Sequence, residues 1–193
     1  MRITQKKKHL CQPPPILWYN MKMCSFIEEV VTVSKDIEVS KSIRKASIDD
    51  VSRIAEILVF SKRKNYRQIF NNDIGSFVEL QVYPLAKEYV RKPELLNTIF
   101  VYSDKFVQGM IRVKGSEIKE LYVDPFFEGK GIGGELIKFV KNTFDCRELW
   151  VLCENERAKE FYRRHGFYET DEVRPVPGIP NSKVLEIKML RNV

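Results

Sequence analysis

The chain has 193 residues, of which 44% are hydrophobic, and this is enough for one domain with a substantial core. Its formal net charge is +7, with 33 lysines and arginines against 26 acidic residues, and the excess is spread along the chain. So mild an excess suits an anionic ligand and does not favour nucleic acid as a partner. No run approaches the ~20 apolar residues of a membrane span, so we expect no membrane partner.

The cysteines and histidines indicate a reduced protein without a metal site. Four cysteines stand at positions 11, 24, 146 and 153, and none of them forms a Cys-x-x-Cys pair. The two histidines, His9 and His165, give no zinc spacing. The opening residues have no apolar stretch before the prolines at 13–15, so a secretory signal is not expected either. We therefore expect a cytoplasmic location.

Residues 1–41 differ from the rest of the chain. A run of three lysines, Lys6 to Lys8, precedes three consecutive prolines that favour an extended polyproline segment. We interpret residues 1–41 as an N-terminal extension, flexible or loosely packed, and residues 42–193 as the domain that carries the function.

From Ser42 onward, strands and helices follow one another in a regular order. Residues 42–46 are typical of a short strand, and Ser47 with Asp50 resembles a capping box at the start of a helix. Residues 65–90 form a second helical region, which we expect to be interrupted near Gly75 and Pro84. The helix after Ser47 is indicated by apolar residues at helical spacing: Val51, Ile54, Ala55 and Leu58.

The second half of the chain adds strands and two further helices. Three strands are predicted in "NTIFVYS", "KFVQGMIRVKG" and "EIKELYV", and a glycine-rich turn then leads into a helix over about 131–142. A strand in "ELWVLCE" and a helix in "ERAKEFYRRHG" follow, before two last strands in "FYETDEV" and "KVLEIKML". This order predicts an α/β fold (mixed α+β) in which helices cover a mixed sheet.

The stretch "EGKGIGGELI", Glu128 to Ile137, concentrates glycines at positions 129, 131, 133 and 134. Glycine costs roughly 1 kcal/mol relative to alanine inside a helix, so this density needs a physical reason. At the start of a helix the main-chain N–H groups are unpaired and the helix dipole is positive, and glycines leave these groups open to a phosphate. Lys130 adds a positive charge. The alternative is a tight turn whose glycines permit close packing.

Two nucleotide-binding patterns do not fit this stretch. Gly129, Gly131 and Gly134 match G-x-G-x-x-G, but residues 124–128 separate them from the preceding strand, and only about sixty residues remain for further strand–helix repeats. A P-loop needs Gly-Lys-Ser/Thr, which this stretch lacks. A dinucleotide-binding oxidoreductase is therefore the weaker interpretation.

Two segments resemble the GNAT superfamily of N-acetyltransferases. The first, "ELYVDPFFEGKGIGGELI", is similar to its acyl-CoA signature, Gln/Arg-x-x-Gly-x-Gly/Ala, with Glu128 where the family usually has Gln or Arg. The second, "CENERAKEFYRRHGF", is similar to its Asn…Ala…Phe-Tyr…Gly-Phe segment. The resemblance extends over about residues 42–190 and follows the family's order of elements.

The resemblance implies a fold and a donor. The fold is a central mixed, mostly antiparallel sheet of about six to seven strands, flanked by about four helices and splayed between the fourth and fifth strands. The donor is acetyl-CoA, whose pantetheine arm would lie in that gap and whose pyrophosphate would meet the glycine amides. Carried over to this chain, the donor site comprises Leu121, Tyr122, Val123, Glu128, Gly129, Lys130, Gly131, Ile132, Gly133, Gly134, Asn155, Ala158 and Tyr162.

Acyl transfer to an amine needs a base for the amine proton, a donor for the carbonyl oxygen and an acid for the thiolate. The resemblance implies Tyr162 as the acid and a main-chain N–H near Val123 as the donor. Helical spacing alone would make Tyr162 a packing residue on an apolar face. Glu120 and Glu117 are the candidate bases. A regular strand places them on opposite faces, although the family often has a bulge here, and each is equally an ordinary strand-edge charge. We favour Glu120 because it is closer to the cleft.

We therefore expect an acyl-CoA-dependent N-acetyltransferase that moves an acetyl group from acetyl-CoA to a primary amine of a small molecule or a protein, without a metal. The alternative is a non-catalytic acyl-CoA-binding module that acts through a partner. Residues 63–82, which we expect near the acceptor, combine aromatic with basic side chains. Aromatic side chains suit an apolar or cationic group, whereas basic side chains suit a carboxylate or a phosphate, so the two favour different acceptors. An exposed sheet edge is compatible with a homodimer.

Overall fold

The structure is a computed structural model, and it describes residues 42–177 and 183–192 of the chain. The predicted extension over residues 1–41 lies outside these residues, so it stays a prediction. Within the two described ranges the protein has seven strands and four α-helices, joined by short 3-10 and π-helical turns. None of the helices in those ranges is both long and apolar enough to cross a membrane.

The elements are numbered here in chain order. The strands are β1 (Ser42–Lys45), β2 (Ile99–Asp104), β3 (Phe106–Lys114), β4 (Glu117–Val123), β5 (Glu148–Leu152), β6 (Phe167–Pro175) and β7 (Leu185–Arg191). The helices are α1 (Val51–Phe70), α2 (Val82–Arg91), α3 (Ile132–Phe144) and α4 (Glu156–Arg164). Short 3-10 turns cover Ile48–Asp50, Pro93–Thr98 and Pro125–Phe127, and a π-helical turn covers Gly75–Glu79.

All seven strands form one sheet in the order β1-β2-β3-β4-β5-β7-β6. Every neighbouring pair is antiparallel except β4 and β5, which run parallel. The parallel pair is short, because only Glu117 with Glu148 and Ile118 with Leu149 are in register before the strands separate. This confirms the predicted mixed, mostly antiparallel sheet that is splayed between its fourth and fifth strands.

Helices cover both faces of the sheet and bury two apolar clusters. Successive strand residues point to opposite faces, so the neighbours Met110 and Ile111 of β3, both fully buried, belong to different clusters. One cluster packs α1 and α2 on the sheet and includes Ile54, Ile57, Leu58, Tyr89 and Val101. The other packs α3 and α4 on the opposite face and includes Leu136, Ile137, Val140, Leu149 and Met189.

The chain enters α1 through a hydrogen-bond network around the buried Asp50. Its carboxylate accepts hydrogen bonds from the N–H of Ser47 at 2.8 Å and from the Ser47 hydroxyl at 3.0 Å, which confirms the predicted cap. Both terminal nitrogens of Arg44 also donate to it, at 2.7 and 2.9 Å. The bonds from Arg44, supported by Ser47, outweigh the opposing effect of burial and hold the pKa of Asp50 below its ordinary value.

The helical region over residues 65–90 is interrupted at only one of the two predicted places. Helix α1 ends at Phe70, and the π-helical turn begins at Gly75, as expected. The expected break at Pro84 is wrong, since this proline lies in the first turn of α2, three residues after Gln81. In the first turn the N–H that proline lacks would have no helical acceptor, so the helix tolerates it.

Replacing Asp50 with Asn is expected to lower the free energy of unfolding at pH 7 by about 1–3 kcal/mol, because it removes a buried charge-assisted network. A carboxyl whose folded-state pKa is lowered contributes stability above its ordinary pKa of about 4 and loses that contribution as the pH falls through the folded-state value. The deficit of the variant should therefore shrink at acidic pH, which urea unfolding at a series of pH values measures.

Asp49 is the matched control, because it adjoins Asp50 in the same turn and is exposed. The Asp49→Asn variant should stay within about 0.5 kcal/mol of the wild type at every pH. An Asp50→Asn deficit that does not change with pH would contradict the ionic origin of the stabilisation.

Candidate functional site

The gap between β4 and β5 opens at a β-bulge. On β4, Ile118 pairs with Val113 and Glu120 pairs with Arg112, so Lys119 is an additional residue with no opposite residue on β3. A bulge bends its strand and increases the local twist. The bend coincides with the end of the β4–β5 pairing at Ile118. Beyond it, residues 119–123 and 150–152 line the two sides of an open gap in the sheet.

The loop after β4 is anchored by Asp124, which is 5% exposed. Its carboxylate accepts a hydrogen bond from the N–H of Phe126 at 2.8 Å and forms an ion pair with Arg53 of α1. Arg53 also donates to the main-chain carbonyl of Val107 on β3 at 3.0 Å. One partly buried ion pair therefore holds α1, β3 and the loop together.

Two of the four glycines in this loop adopt a left-handed backbone. Gly129 and Gly131 have φ angles of +76° and +83°, and nothing lies within 4 Å of the place that a Cβ would take. Gly131 precedes the first residue of α3 and provides no side-chain cap. Among the described residues, none accepts a hydrogen bond from the main-chain N–H groups of residues 129–134. These groups are open and lie at the positive end of the α3 dipole.

The other two glycines permit close packing between α3 and α4. A Cβ at Gly133 would lie 3.2 Å from the Phe161 ring, and one at Gly134 would lie 3.1 Å from Nε2 of His165. The His165 ring lies 4.4 Å from the Phe161 ring, and its Nδ1 is 2.8 Å from the Phe161 carbonyl oxygen. The close-packing alternative considered for the glycines thus applies to Gly133 and Gly134.

Glu128 occupies the position at which the resemblance leads us to expect Gln or Arg, and its carboxylate joins three elements. It accepts hydrogen bonds from Nζ of Lys64 on α1 at 2.7 Å and from Arg157 on α4 at 2.5 Å. Burial raises the pKa of Glu128, but the hydrogen bonds from Arg157 and Lys64 outweigh burial and keep this pKa below its ordinary value. The carboxylate therefore lies beside the glycine loop as an anion that two cations share.

A cavity of about 370 Å³, here called the loop cavity, lies between the glycine loop, β4 and α4. Every residue of the predicted donor site lines it except Lys130. The structure does not bring Lys130 to this cavity, and its Nζ lies 4.6 Å from the centroid of the Phe127 ring. Lining residues that the sequence analysis did not identify are Ser61, Asn65, Phe127, Arg157, Phe161 and Arg164.

A second cavity of about 590 Å³, here called the sheet cavity, lies along β4 and β5 and is also lined by α1 and the end of β6. The two cavities meet in the β4–β5 gap. The residues that line both of them are Asn65, Leu121, Tyr122, Asn155, Ala158 and Tyr162. The gap therefore connects the glycine loop to a separate, larger space.

Tyr162 lies at this junction. Its ring packs against Phe161 and Phe167, with centroid distances of 5.3 and 6.0 Å, as the helical spacing predicts. Burial, and then the nearby Tyr66, raise the pKa of the Tyr162 phenol, so it stays protonated at neutral pH. No hydrogen bond joins its hydroxyl to another described residue. The hydroxyl oxygen is nevertheless accessible, since the described residues include no side-chain oxygen that is both fully buried and without a partner.

Both candidate bases line the sheet cavity. A regular strand would separate Glu117 from Glu120, but the additional residue, Lys119, resets the alternation of β4. Nζ of Lys119 donates to both Glu117 oxygens at 2.7 Å, which occupies that carboxylate within its own strand. Glu120 has looser contacts, at 3.3 Å from Arg112 and 3.7 Å from Lys62.

Two phenols and one amide complete the junction. The hydroxyls of Tyr66 and Tyr122 lie 3.1 Å apart, and burial raises the pKa of both. The sequence analysis predicted Tyr122 as a site residue but not its contact with Tyr66, because the two residues are 56 positions apart. The side-chain oxygen of Asn155 accepts a hydrogen bond from the N–H of Ala158 at 3.1 Å, so Asn155 caps α4 while it lines the cavities.

Part of the chain is similar to a known domain family and to a known protein. Residues 96–169 match the family described as the acetyltransferase (GNAT) domain. A segment of 64 residues, 31% of this chain, is 45% identical to an uncharacterized N-acetyltransferase of Methanocaldococcus jannaschii. The match spans only 28% of that relative's length.

Solved structures share the fold over most of their length. The apo form of YjaB from Escherichia coli superimposes with a TM-score of 0.61 at 20% identity, covering 78% of this chain and 97% of that one. The PaiA N-acetyltransferase from Thermoplasma acidophilum, in complex with coenzyme A, gives a TM-score of 0.58 at 22% identity, covering 80% and 99%. At these identities the likeness concerns the fold alone.

The domain match, the splayed sheet and the two motif segments coincide on the same part of the chain. Residues 96–169 include β4, the glycine loop, the start of α3 and α4, which line most of the loop cavity, and they also include β5. Residues 96–169 carry the acetyltransferase (GNAT) domain, as the two resembling segments predict.

Replacing Gly131 with Ala is expected to lower the free energy of unfolding by about 1–2 kcal/mol, because an L side chain is strained at a φ of +83°. Denaturant unfolding measures this loss. Glu135→Ala, an exposed position in the first turn of α3, is the control and should change stability by no more than about 0.5 kcal/mol. Equal losses in the two variants would show that backbone strain is not the cause.

Proposed function

We propose that the protein is an acyl-CoA-dependent N-acetyltransferase that moves an acetyl group from acetyl-CoA to a primary amine. The observation that carries this proposal is the meeting of the loop cavity and the sheet cavity at Tyr162, in the β4–β5 gap. A donor can occupy one cavity and an acceptor the other, so the two substrates come together beside one phenol. The GNAT domain at residues 96–169 and the coenzyme A complex of the PaiA protein support the choice of donor.

The residues of the loop cavity suit a donor with amides and phosphates. Beyond Ile118 the facing edges of β4 and β5 are not paired with each other, so an extended pantetheine arm can add its amides there as a strand would. The open N–H groups of residues 129–134 suit the pyrophosphate. Arg157 and Arg164 supply positive charge to the same cavity, and Lys64 lies beside it.

The reaction forms a C–N bond and breaks a C–S bond. The amine nitrogen attacks the thioester carbonyl, and a main-chain N–H near Val123 stabilises the negative charge that develops on the oxygen. An ammonium with a pKa of ~10 has no lone pair for attack, so Glu120 first passes one of the ammonium protons to solvent. After the attack, Glu120 takes a second proton from the nitrogen of the tetrahedral intermediate, directly or through water. Tyr162 donates its proton to the departing thiolate. The proton on Glu120 returns to the Tyr162 oxygen through solvent before the next turnover.

The raised pKa of Tyr162 is compatible with this role. In water a phenol is a weaker acid than a thiol. In an apolar site it can still protonate a thiolate, because the same burial destabilises the thiolate anion. Because burial raises its pKa, Tyr162 is protonated at neutral pH, as a proton donor must be.

The acceptor class and the location are proposed at a coarser level. The acceptor is a primary amine of a small molecule or of a protein, and the sheet cavity is the place for it. The cytoplasm is the location that we propose, because Cys146 and Cys153 are both free thiols.

The proposed function is tested by the release of free thiol from acetyl-CoA in the presence of a panel of primary amines. Thiol release that requires an amine, with the acetylated amine identified by mass spectrometry, supports the proposal. Calorimetric binding of CoA without release for any amine would instead favour a non-catalytic acyl-CoA-binding module. A folded protein that binds no CoA would contradict the donor assignment.

The Tyr162→Phe variant is expected to lower kcat by roughly 100-fold, because it removes the proton donor and keeps the ring. The Kd for CoA, measured by calorimetry, should stay within about twofold of the wild type, since packing is retained. Tyr168→Phe is the matched control, because Tyr168 is exposed on β6 and lines neither cavity. An unchanged kcat in Tyr162→Phe would remove this residue from the mechanism.

The Glu128→Gln variant is expected to bind CoA about 5-fold more tightly at low salt, since it removes a carboxylate that competes with phosphate for Lys64 and Arg157. The gain should decline as the salt concentration rises. Glu160→Gln on α4, an exposed position outside the cavity, serves as the control. Weaker CoA binding by Glu128→Gln would mean that the carboxylate organises the loop and does not compete with the ligand.

A further inference from the structure

The walls of the sheet cavity carry one more positive than negative side chain. The three carboxylates are Glu117, Glu120 and Glu186, and the four cations are Lys62, Arg112, Lys119 and Arg174. A surplus charge on the wall of a partly enclosed space is costly unless an anion accompanies it. The distribution of the ion pairs shows which cations carry the surplus.

Two of the cations each form a short ion pair with a carboxylate of their own. Lys119 contacts both oxygens of Glu117 at 2.7 Å. Arg174 donates to Glu186 at 2.5 Å, and its guanidinium lies 3.7 Å from the centroid of the Trp150 ring. These short contacts neutralise both cations within the protein.

The other two cations share one carboxylate at long range. Arg112 contacts Glu120 at 3.3 Å and Lys62 contacts it at 3.7 Å, with 32% and 29% of their side chains exposed. Within residues 42–177 and 183–192, Arg112 donates one hydrogen bond, the one to Glu120, whereas Lys62 donates none and its Nζ lies 5.8 Å from the centroid of the Tyr122 ring. A guanidinium has five N–H donors and an ammonium has three. Most of these donors therefore have no acceptor among the described residues. Lys62 and Arg112 therefore form a half-buried pair of cations, on α1 and β3, that a second carboxylate would balance.

The remaining wall is aromatic. Tyr66 and Phe70 of α1 pack with ring centroids 6.1 Å apart, and Trp150 of β5 lies along the same cavity. Rings of this kind favour an apolar or aromatic group on the ligand. A simple ammonium would meet the Lys62–Arg112 pair as a like charge, and this works against an amine that has no anionic group.

We propose that the acceptor is a small amine that also carries a carboxylate, in the manner of an apolar or aromatic amino acid. The carboxylate of the acceptor contacts Lys62 and Arg112, and the side group of the acceptor packs on the aromatic wall. The amine of the acceptor extends to the junction at Tyr122 and Tyr162. This inference rests on the proposed acetyltransferase function, and it makes Lys62 and Arg112 residues that determine specificity.

The test compares amines that differ only in the carboxylate. Phenylalanine is paired with phenethylamine and tryptophan with tryptamine, and kcat/KM is measured for each by thiol release from acetyl-CoA. We expect each amino acid to exceed its decarboxylated partner by about 10-fold or more, because a charge-assisted hydrogen bond is lost with the carboxylate. Equal rates, or faster transfer to the decarboxylated amines, would overturn the inference and leave the proposed function intact.

Variants assign the preference to the two cations. In Arg112→Gln and in Lys62→Gln the ratio within each pair of amines should fall by about 10-fold, chiefly through a higher KM for the amino acid. Lys114→Gln is the control, because it removes a charge from the exposed end of the same strand as Arg112, outside the cavity. A ratio that is unchanged in both cavity variants would overturn the assignment.

A binding measurement separates this inference from the proposed function. Calorimetry of the CoA-loaded protein is carried out with N-acetylphenylalanine and with N-acetylphenethylamine, which need no turnover. About 10-fold tighter binding of the carboxylate, reduced in Arg112→Gln, supports the anion site even if no amine is acetylated, in which case only the proposed function fails. No difference between the two ligands would refute the anion site whatever the enzyme activity.

Discussion

The separation of β4 from β5 is the feature on which the rest of the site depends. The two strands are in register at only two positions, and the bulge at Lys119 lies where their pairing ends. Without this divergence the sheet would be continuous, and neither the loop cavity nor the sheet cavity would reach the other side of the gap. Helix α4 lies across the opening, and its Tyr162 marks the place where the two cavities meet. A local irregularity in strand pairing thus creates a site that connects two spaces.

The loop that follows β4 combines rigidity with exposed main chain. The ion pair between Asp124 and Arg53 fixes the loop to α1, and close packing of Gly133 and Gly134 against α4 fixes the start of α3. The N–H groups between these two anchors remain without an acceptor among the described residues. Such preorganised donors lose little entropy when an anion binds, which reduces the cost of binding. Glu128 adds a carboxylate that holds Lys64 and Arg157 beside the same loop.

Local patterns predicted most of the fold, because strand alternation, helical spacing and glycine turns are short-range properties. Two features depended on tertiary context instead. No residue pattern in the sequence marks the bulge at Lys119, yet this bulge places Glu117 and Glu120 on one cavity. The contacts of Glu128 join segments that are 64 and 29 positions apart, which no local pattern encodes. The two motif segments predicted most of the residues that line the loop cavity, whereas the cations and rings that line the sheet cavity come from several elements that are distant in the sequence.

The central claim is that the β4–β5 gap and the glycine amides bind the acyl carrier. The most direct test is a titration of isotope-labelled protein with CoA, followed by the amide resonances of the full chain in two-dimensional NMR spectra. We expect the resonances of residues 129–134 and of the facing ends of β4 and β5 to shift and to saturate at one CoA per chain, while those of β1 stay in place. Unchanged resonances at these positions in millimolar CoA, on folded protein, would contradict the claim.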